Sequence, residues 1–194
     1  LVGSEMCIRD RYMYNMGNVI LQVTQNCNLR CEYCVYSGSY INRVHTNKRM
    51  SFETAVKTID FLAAHSLNCN EVSIGFYGGE PLLEIELIKK AVSYAKEVFG
   101  EKKINFNMTT NATLLNMDIA DFLVQNDFNI TISLDGPRNI HNKNRIFANS
   151  NKGTFDLIME NIALIREKYP FFDKKISFNA VIDLKPVSYT HLTL

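Results

Sequence analysis

The sequence predicts an α/β fold of parallel strand–helix units, wound as a barrel rather than as an open doubly wound sheet. β-branched apolar runs alternate with segments of helical period along most of the chain. Four polar or glycine-rich motifs follow directly on the first four of those runs. In a parallel β/α barrel the C-terminal strand ends form one mouth, where groups from different strands meet. In an open sheet, ligands gather at a single crevice instead. Four consecutive motifs favour the barrel. The 194 residues, 46% of them hydrophobic, suffice for one domain with a sizeable core.

The elements follow in order. Val19 to Thr24 is short and rich in β-branched residues and reads as the first strand, followed by a long loop rich in Cys, Gly and Asn. Ser51 is placed to cap a helix whose Phe52, Val56, Ile59 and Leu62 recur at helical spacing, running to about Ser66. Val72 to Tyr77 alternates as strand two. Pro81 opens the next helix, with Ile85, Ile88, Val92 and Ala95 on one face and Gly100 as its stop. Ile104 to Met108 is strand three, Asn116 caps a short helix through Leu123, and Ile130 to Leu134 is strand four. Thr154 caps a helix carrying Phe155, Ile158, Ile162 and Ile165, which Pro170 ends, and Ile176 to Ile182 is strand five.

A formal net charge of +1, with Lys and Arg scattered, gives no electrostatic reason to expect nucleic acid or an anionic membrane as partner. No apolar run approaches the ~20 residues of a membrane-spanning helix, and no signal peptide opens the chain, so the expected location is cytoplasmic. Three of the five cysteines lie between Cys27 and Cys34. Without a secretion signal, such clustering points to metal ligation more than to disulfides.

The two ends are set apart. Met6-Cys7-Ile8-Arg9-Asp10 and Val187-Ser188-Tyr189-Thr190-His191 can be encoded by DNA strands that are reverse complements of each other. That is expected of a sequencing adapter translated as gene. Residues 1–11 and 187–194 are therefore read as adapter-derived tails around one domain at 12–186, which removes Cys7 and His191 as ligands.

Cys27, Cys31 and Cys34 form a C-x₃-C-x₂-C run just after strand one. Three thiolates on one loop can converge on an iron–sulfur cluster or on zinc. A structural zinc site closes with four protein ligands, here completed by His45, whereas a three-cysteine cluster leaves one iron open. A non-enzymatic zinc or electron-transfer module is the alternative of a different class. Cys69 reads as a small packed residue. Gly78-Gly79-Glu80-Pro81 follows strand two; its glycines allow close backbone approach to a ligand, and Glu80 can accept from an ammonium group. Thr109-Thr110-Asn111-Ala112-Thr113 follows strand three. Ser133-Leu134-Asp135-Gly136-Pro137, with His141 to Arg145 behind it, ends strand four.

The cysteine run resembles the C-x₃-C-x-aromatic-C signature of radical S-adenosylmethionine (SAM) enzymes, with Tyr33 in the aromatic place. The Gly-Gly-Glu-Pro segment is similar to their SAM-amino motif, and the stretch from Ser133 to Arg145 resembles the sulfatase- and peptide-maturase subgroup with a SPASM-type extension. The resemblance covers nearly all of residues 18–183. It implies a partial TIM-like (β/α)6 barrel with about five strands present. It implies that Cys27, Cys31 and Cys34 ligate a [4Fe–4S] cluster whose fourth iron takes SAM. Tyr33, Gly78, Gly79, Glu80, Asn111, Ser133 and Arg145 become the implied SAM contacts. The implied partners are a peptide or protein substrate and a one-electron donor of the flavodoxin or ferredoxin type. The subgroup usually has Gly where this chain has Ala112, which bears on the backbone of that turn. The resemblance also implies a sixth strand–helix unit beyond Lys185 and further cysteines after it, and the catalytic acid or base is expected there.

Overall fold

The computed structural model describes residues 14–36 and 45–182. Both tails read as adapter-derived, with Cys7 and His191, lie outside the described residues. Strands β1 (Asn18–Thr24), β2 (Glu71–Gly78), β3 (Lys103–Thr110), β4 (Asn129–Ser133) and β5 (Ile176–Asn179) form one parallel sheet in the order β1-β2-β3-β4-β5. A doubly wound sheet reverses its strand order at a switch point. This sheet winds in one direction only, as a barrel does, and stays open between β1 and β5 among the described residues. Right-handed crossovers then place the long connecting helices on the same face.

Helices α1 (Phe52–His65), α2 (Ile85–Phe99), α3 (Met117–Gln125), α4 (Arg138–Asn144) and α5 (Phe155–Lys168) fill the connections. Ser51 Oγ accepts from the backbone N–H of Thr54 at 3.1 Å and starts α1, whose Ala55, Ile59 and Leu62 are buried at helical spacing. Pro81 opens a 3₁₀ turn (Pro81–Glu84) before α2 proper, and Gly100 ends α2 at φ 56°. Asn116 Oδ1 caps α3 by accepting from Ile119 N–H at 2.9 Å.

Three expectations need correction. The helix after Asn116 runs two residues past Leu123. Thr154 occupies the N-cap position of α5, but its hydroxyl is engaged by His141, and Asn142 Oδ1 accepts from Phe155 N–H instead at 3.0 Å. β5 has four residues rather than seven, because the N–H of Val181 leaves the ladder and donates to Asp135 Oδ1 at 3.1 Å. Helix α4 lies between Leu134 and Thr154, where the sequence assigns no element. It is only two turns long and presents one buried residue, His141, so it carries no apolar period.

Alternation along the strands separates two faces. Leu21, Val23, Val72, Ile74, Phe76, Phe106, Met108, Ile130 and Ile132 are buried beneath the helices. Phe76, Phe106 and Phe128 stack in series, with centroids 5.3 to 6.4 Å apart. Burying each such ring is worth roughly 1.5–3 kcal/mol. The other face carries polar side chains, with Asn107 Nδ2 donating to Ser73 Oγ at 2.8 Å and the Thr131 and Ser177 hydroxyls meeting at 3.0 Å, beside the exposed Ile20 and Tyr77. Parallel sheets coated on both faces read as continuous apolar runs, and these strands do not. Cys69 packs against the core as expected.

Candidate functional site

All four motifs stand at the C-terminal ends of β1 to β4 and are tied to one another. The cysteine loop is held first by the end of β2. Gly79 N–H donates to Thr24 O and Glu80 N–H to Asn26 O, both at 2.9 Å. A Cβ on Gly78 would lie 2.1 Å from Thr24 O, and one on Gly79 2.2 Å from Asn26 O. Gly78 also has φ 147°. The glycine pair is thus demanded by backbone meeting backbone, a reason the sequence reading, which looked to a ligand, did not supply.

Glu80 is fully buried. Its Oε1 accepts from Leu82 N–H at 3.0 Å and Thr110 hydroxyl at 2.7 Å, and its Oε2 from Asn111 N–H at 2.8 Å. Burial pushes its carboxyl above the usual range, and the three donors pull it partly back. The side chain therefore fastens the β3 loop to the β2 loop. Ala112, in the next turn, has φ 59° with its methyl buried. A left-handed alanine costs about 1–2 kcal/mol; the turn is held by Ala112 N–H donating to Thr110 Oγ1 at 3.0 Å and by Asn161 Nδ2 donating to Ala112 O at 2.9 Å. The backbone strain foreshadowed by the missing glycine is present.

Asn111 joins this loop to the cysteines. Its Nδ2 donates to Asn28 Oδ1 at 2.9 Å and lies 3.8 Å from Cys27 Sγ, while its Oδ1 accepts from Thr113 N–H at 3.0 Å and Thr113 hydroxyl at 2.7 Å. Asn28 Nδ2 donates to Thr113 Oγ1 at 2.8 Å. On the far side the segment after α4 clamps the loop, with Arg30 N–H donating to Ile146 O and Ala148 N–H to Asn28 O, both at 2.9 Å. Cys27, Leu29 and Cys31 form a small buried core flanked by Tyr33, Cys34 and Phe147.

Each cysteine sulfur faces an N–H donor. Leu29 N–H lies 3.4 Å from Cys27 Sγ, Tyr36 N–H 3.4 Å from Cys34 Sγ, and Arg145 Nη1 3.9 Å from Cys31 Sγ. Burial pushes the Cys27 thiol up to about 12 and the Cys31 thiol up to about 11. Buried thiols of that kind ionise only when a cation takes the sulfur. Soft sulfur donors, three in number, with N–H groups on each, fit an iron–sulfur cluster. No three His, Cys, Asp or Glu side chains among the described residues gather closely enough for a single metal ion. His45 does not complete a zinc set: its Nε2 meets Arg30 Nη2 at 3.1 Å and its Nδ1 meets Tyr36 O at 3.3 Å.

Arg145 and Asp135 form a buried ion pair, Nε to Oδ2 at 2.9 Å. Tyr33 hydroxyl donates to the same oxygen, and the guanidinium carbon stands 5.5 Å from the Tyr33 ring centroid. Desolvation works against the Arg145 charge, but Asp135 outweighs it and holds the guanidinium above its usual value. Ser133 ends β4 half-buried opposite Asn179, and its hydroxyl makes no hydrogen bond among the described residues. Asp135, Asn28 and His141 had no assigned role in the sequence; nothing local distinguishes a short polar residue that braces a loop from one in solvent.

His141 is fully buried. Asp135 N–H donates to its Nδ1 at 3.3 Å, so its Nε2 carries the proton toward Thr154 Oγ1 at 2.8 Å. Burial, with Arg145 nearby, pulls its pKa down to about 4 from 6.5. Between those values the unfolded chain binds a proton that the folded chain refuses, so stability falls as pH drops from about 6.5 towards 4. The loss approaches about 3 kcal/mol at the acid end. Urea midpoints measured across that window should decline in the natural sequence and flatten in His141→Gln; parallel declines would remove His141 from the account.

The Radical SAM superfamily model matches residues 21–180. An uncharacterized protein of Methanocaldococcus jannaschii is 36% identical over 92% of this chain and 66% of its own length. The cysteine-type anaerobic sulfatase-maturating enzyme of Clostridium novyi is 35% identical over 79% of this chain and 41% of its own. Among solved structures, native anSMEcpe with bound AdoMet superposes with a TM-score of 0.70 at 30% identity, covering 84% of this chain and 43% of that one. The same protein with AdoMet and the Cp18Cys peptide gives a TM-score of 0.68 at 28% identity. The chain thus spans less than half the length of these maturating proteins.

Proposed function

The chain belongs to the radical SAM superfamily, and from that premise we propose that it cleaves S-adenosylmethionine reductively and takes a hydrogen atom from a peptide or protein side chain. The observation that carries the reading is the cysteine loop: three sulfurs at one strand-end mouth, each facing an N–H donor, with Arg145 and Asn111 reaching in from neighbouring motifs. Cys27, Cys31 and Cys34 would hold a [4Fe–4S] cluster. When bound, such a cluster would supply the single electron that reductive cleavage of SAM requires.

This chain's residues do the rest by position. The clamps from Gly79, Glu80, Asn111 and residues 146–148 fix the loop. Ser133 offers a hydroxyl without a hydrogen bond among the described residues, and Tyr33, Gly78, Gly79 and Asn111 line the same mouth as SAM contacts. Glu80 serves that contact through the backbone it positions, since its carboxylate is taken up inside. The polar side chains of the inner sheet face lead away from this mouth and suit an extended, hydrogen-bonding substrate. A peptide side chain is favoured by the maturase relatives and by anSMEcpe with a bound peptide. A flavodoxin- or ferredoxin-type donor would deliver the electron. No helix among the described residues is long and apolar enough to cross a membrane.

The test is anaerobic incubation of reconstituted protein with dithionite, SAM and a Cys-containing peptide deuterated at the Cys β-carbon. Deoxyadenosine should form and carry deuterium. Deoxyadenosine without label would keep SAM cleavage and sink the peptide substrate; no SAM cleavage would sink the reading as a whole.

A further inference from the structure

The three sulfurs are not treated alike. Cys27 and Cys34 face neutral N–H donors, from Leu29, Asn111 and Tyr36. Cys31 faces the Arg145 guanidinium, a full positive charge that is 8% exposed. That charge is not left alone. Asp135 takes its Nε, and the Asp135 carboxylate also accepts from Tyr33 and Val181. Asp135 is thereby tied to the cysteine loop, to the segment just after β5, and to the arginine. Its backbone N–H is fixed in turn by His141. The pair is buried, where charge interactions are screened far less than at the surface.

We propose that Asp135 is a positioning residue that sets the reduction potential of the cluster, by holding Arg145 against the Cys31 sulfur and offsetting part of its charge. The inference rests on the reading of the three cysteines as cluster ligands. One-electron reduction adds one unit of negative charge to the cluster, supplied by dithionite in the test. A cation beside a ligating sulfur favours the reduced form and raises the potential, and an N–H to sulfur contact acts in the same direction. A carboxylate on that cation lowers the potential again. Arg145 and Asp135 are thus opposed controls on one centre.

The two substitutions must therefore act with opposite sign. Asp135→Asn keeps an oxygen for Arg145 Nε but removes the countercharge, so the midpoint potential rises. Arg145→Gln removes the cation, so the midpoint falls. Tyr33→Phe keeps the ring under the guanidinium and every buried charge. It leaves the Asp135 oxygen undivided on Arg145, so the midpoint falls by less. The experiment is an EPR-monitored redox titration of the reconstituted protein without SAM. A variant that merely loosened the loop would admit water and move the midpoint in the same direction in all three cases. Shifts of one common sign, or no shift, overturn the inference. If Asp135→Asn or Arg145→Gln loses the cluster, Tyr33→Phe decides by itself: a lower midpoint supports the proposal, and an unchanged or higher one overturns it. Failure of the unsubstituted chain to take up iron and sulfide would instead overturn the cluster reading on which it rests.

Discussion

Glu80→Ala unfolds in urea with about 3 kcal/mol less stability than the unsubstituted chain, even when no cluster is bound. The substitution strips an acceptor from Thr110 hydroxyl, Asn111 N–H and Leu82 N–H, all enclosed. Each buried donor left unpaired costs about 1–3 kcal/mol, and relief from enclosing a carboxylate returns part of the sum. Glu80→Gln separates hydrogen bonding from volume. Its amide oxygen can keep Leu82 and Thr110, while its NH₂ meets the Asn111 N–H, a single lost bond worth about 1–2 kcal/mol. The check is equilibrium denaturation followed by far-ultraviolet circular dichroism. Equal stability for the Ala and Gln variants would mean that Glu80 does not fasten the β3 loop.

That role shows where the sequence was informative and where it was not. Strand and helix order, the caps at Ser51 and Asn116, and the strand-end position of all four motifs follow from period and from turn chemistry, which are local signals. Winding direction follows too, since four consecutive strand-end motifs favour one mouth over the single crevice of a sheet that reverses order. Partnerships were not legible, because they join residues distant in the chain. Glu80 was read as facing a ligand and turns inward to residues 110 and 111. Gly78 and Gly79, read as room for a ligand, are also required for the close approach of the β1 loop. Arg145 carries an implied SAM contact and Asp135, in the same motif, carries none, although the two form one buried ion pair. The cap of α5 passed from Thr154 to Asn142 because the buried His141 needed the hydroxyl, a competition no local pattern reveals. Ala112 is the converse case, where departure from a glycine announced a left-handed turn that the structure contains.

The largest effect is expected at the cysteines themselves. Replacing Cys27, Cys31 or Cys34 singly with Ala should abolish the cluster, because the loop has no fourth sulfur to substitute: Cys69 lies away, packed against the core near Gly17. Cys69→Ala should therefore leave the cluster intact. Fold stability of the cluster-free variants should change little at Cys34, which is half-buried, and more at Cys27 and Cys31, which are buried in the small loop core. The most direct measurement is EPR of the dithionite-reduced, reconstituted protein, recorded with and without SAM and paired with iron and sulfide analysis. The account predicts about four irons per chain in the unsubstituted protein, a spectrum that changes when SAM enters the open iron, and no cluster signal in any of the three cysteine variants. A bound zinc ion in place of iron, or a cluster spectrum unaltered by saturating SAM, would contradict it.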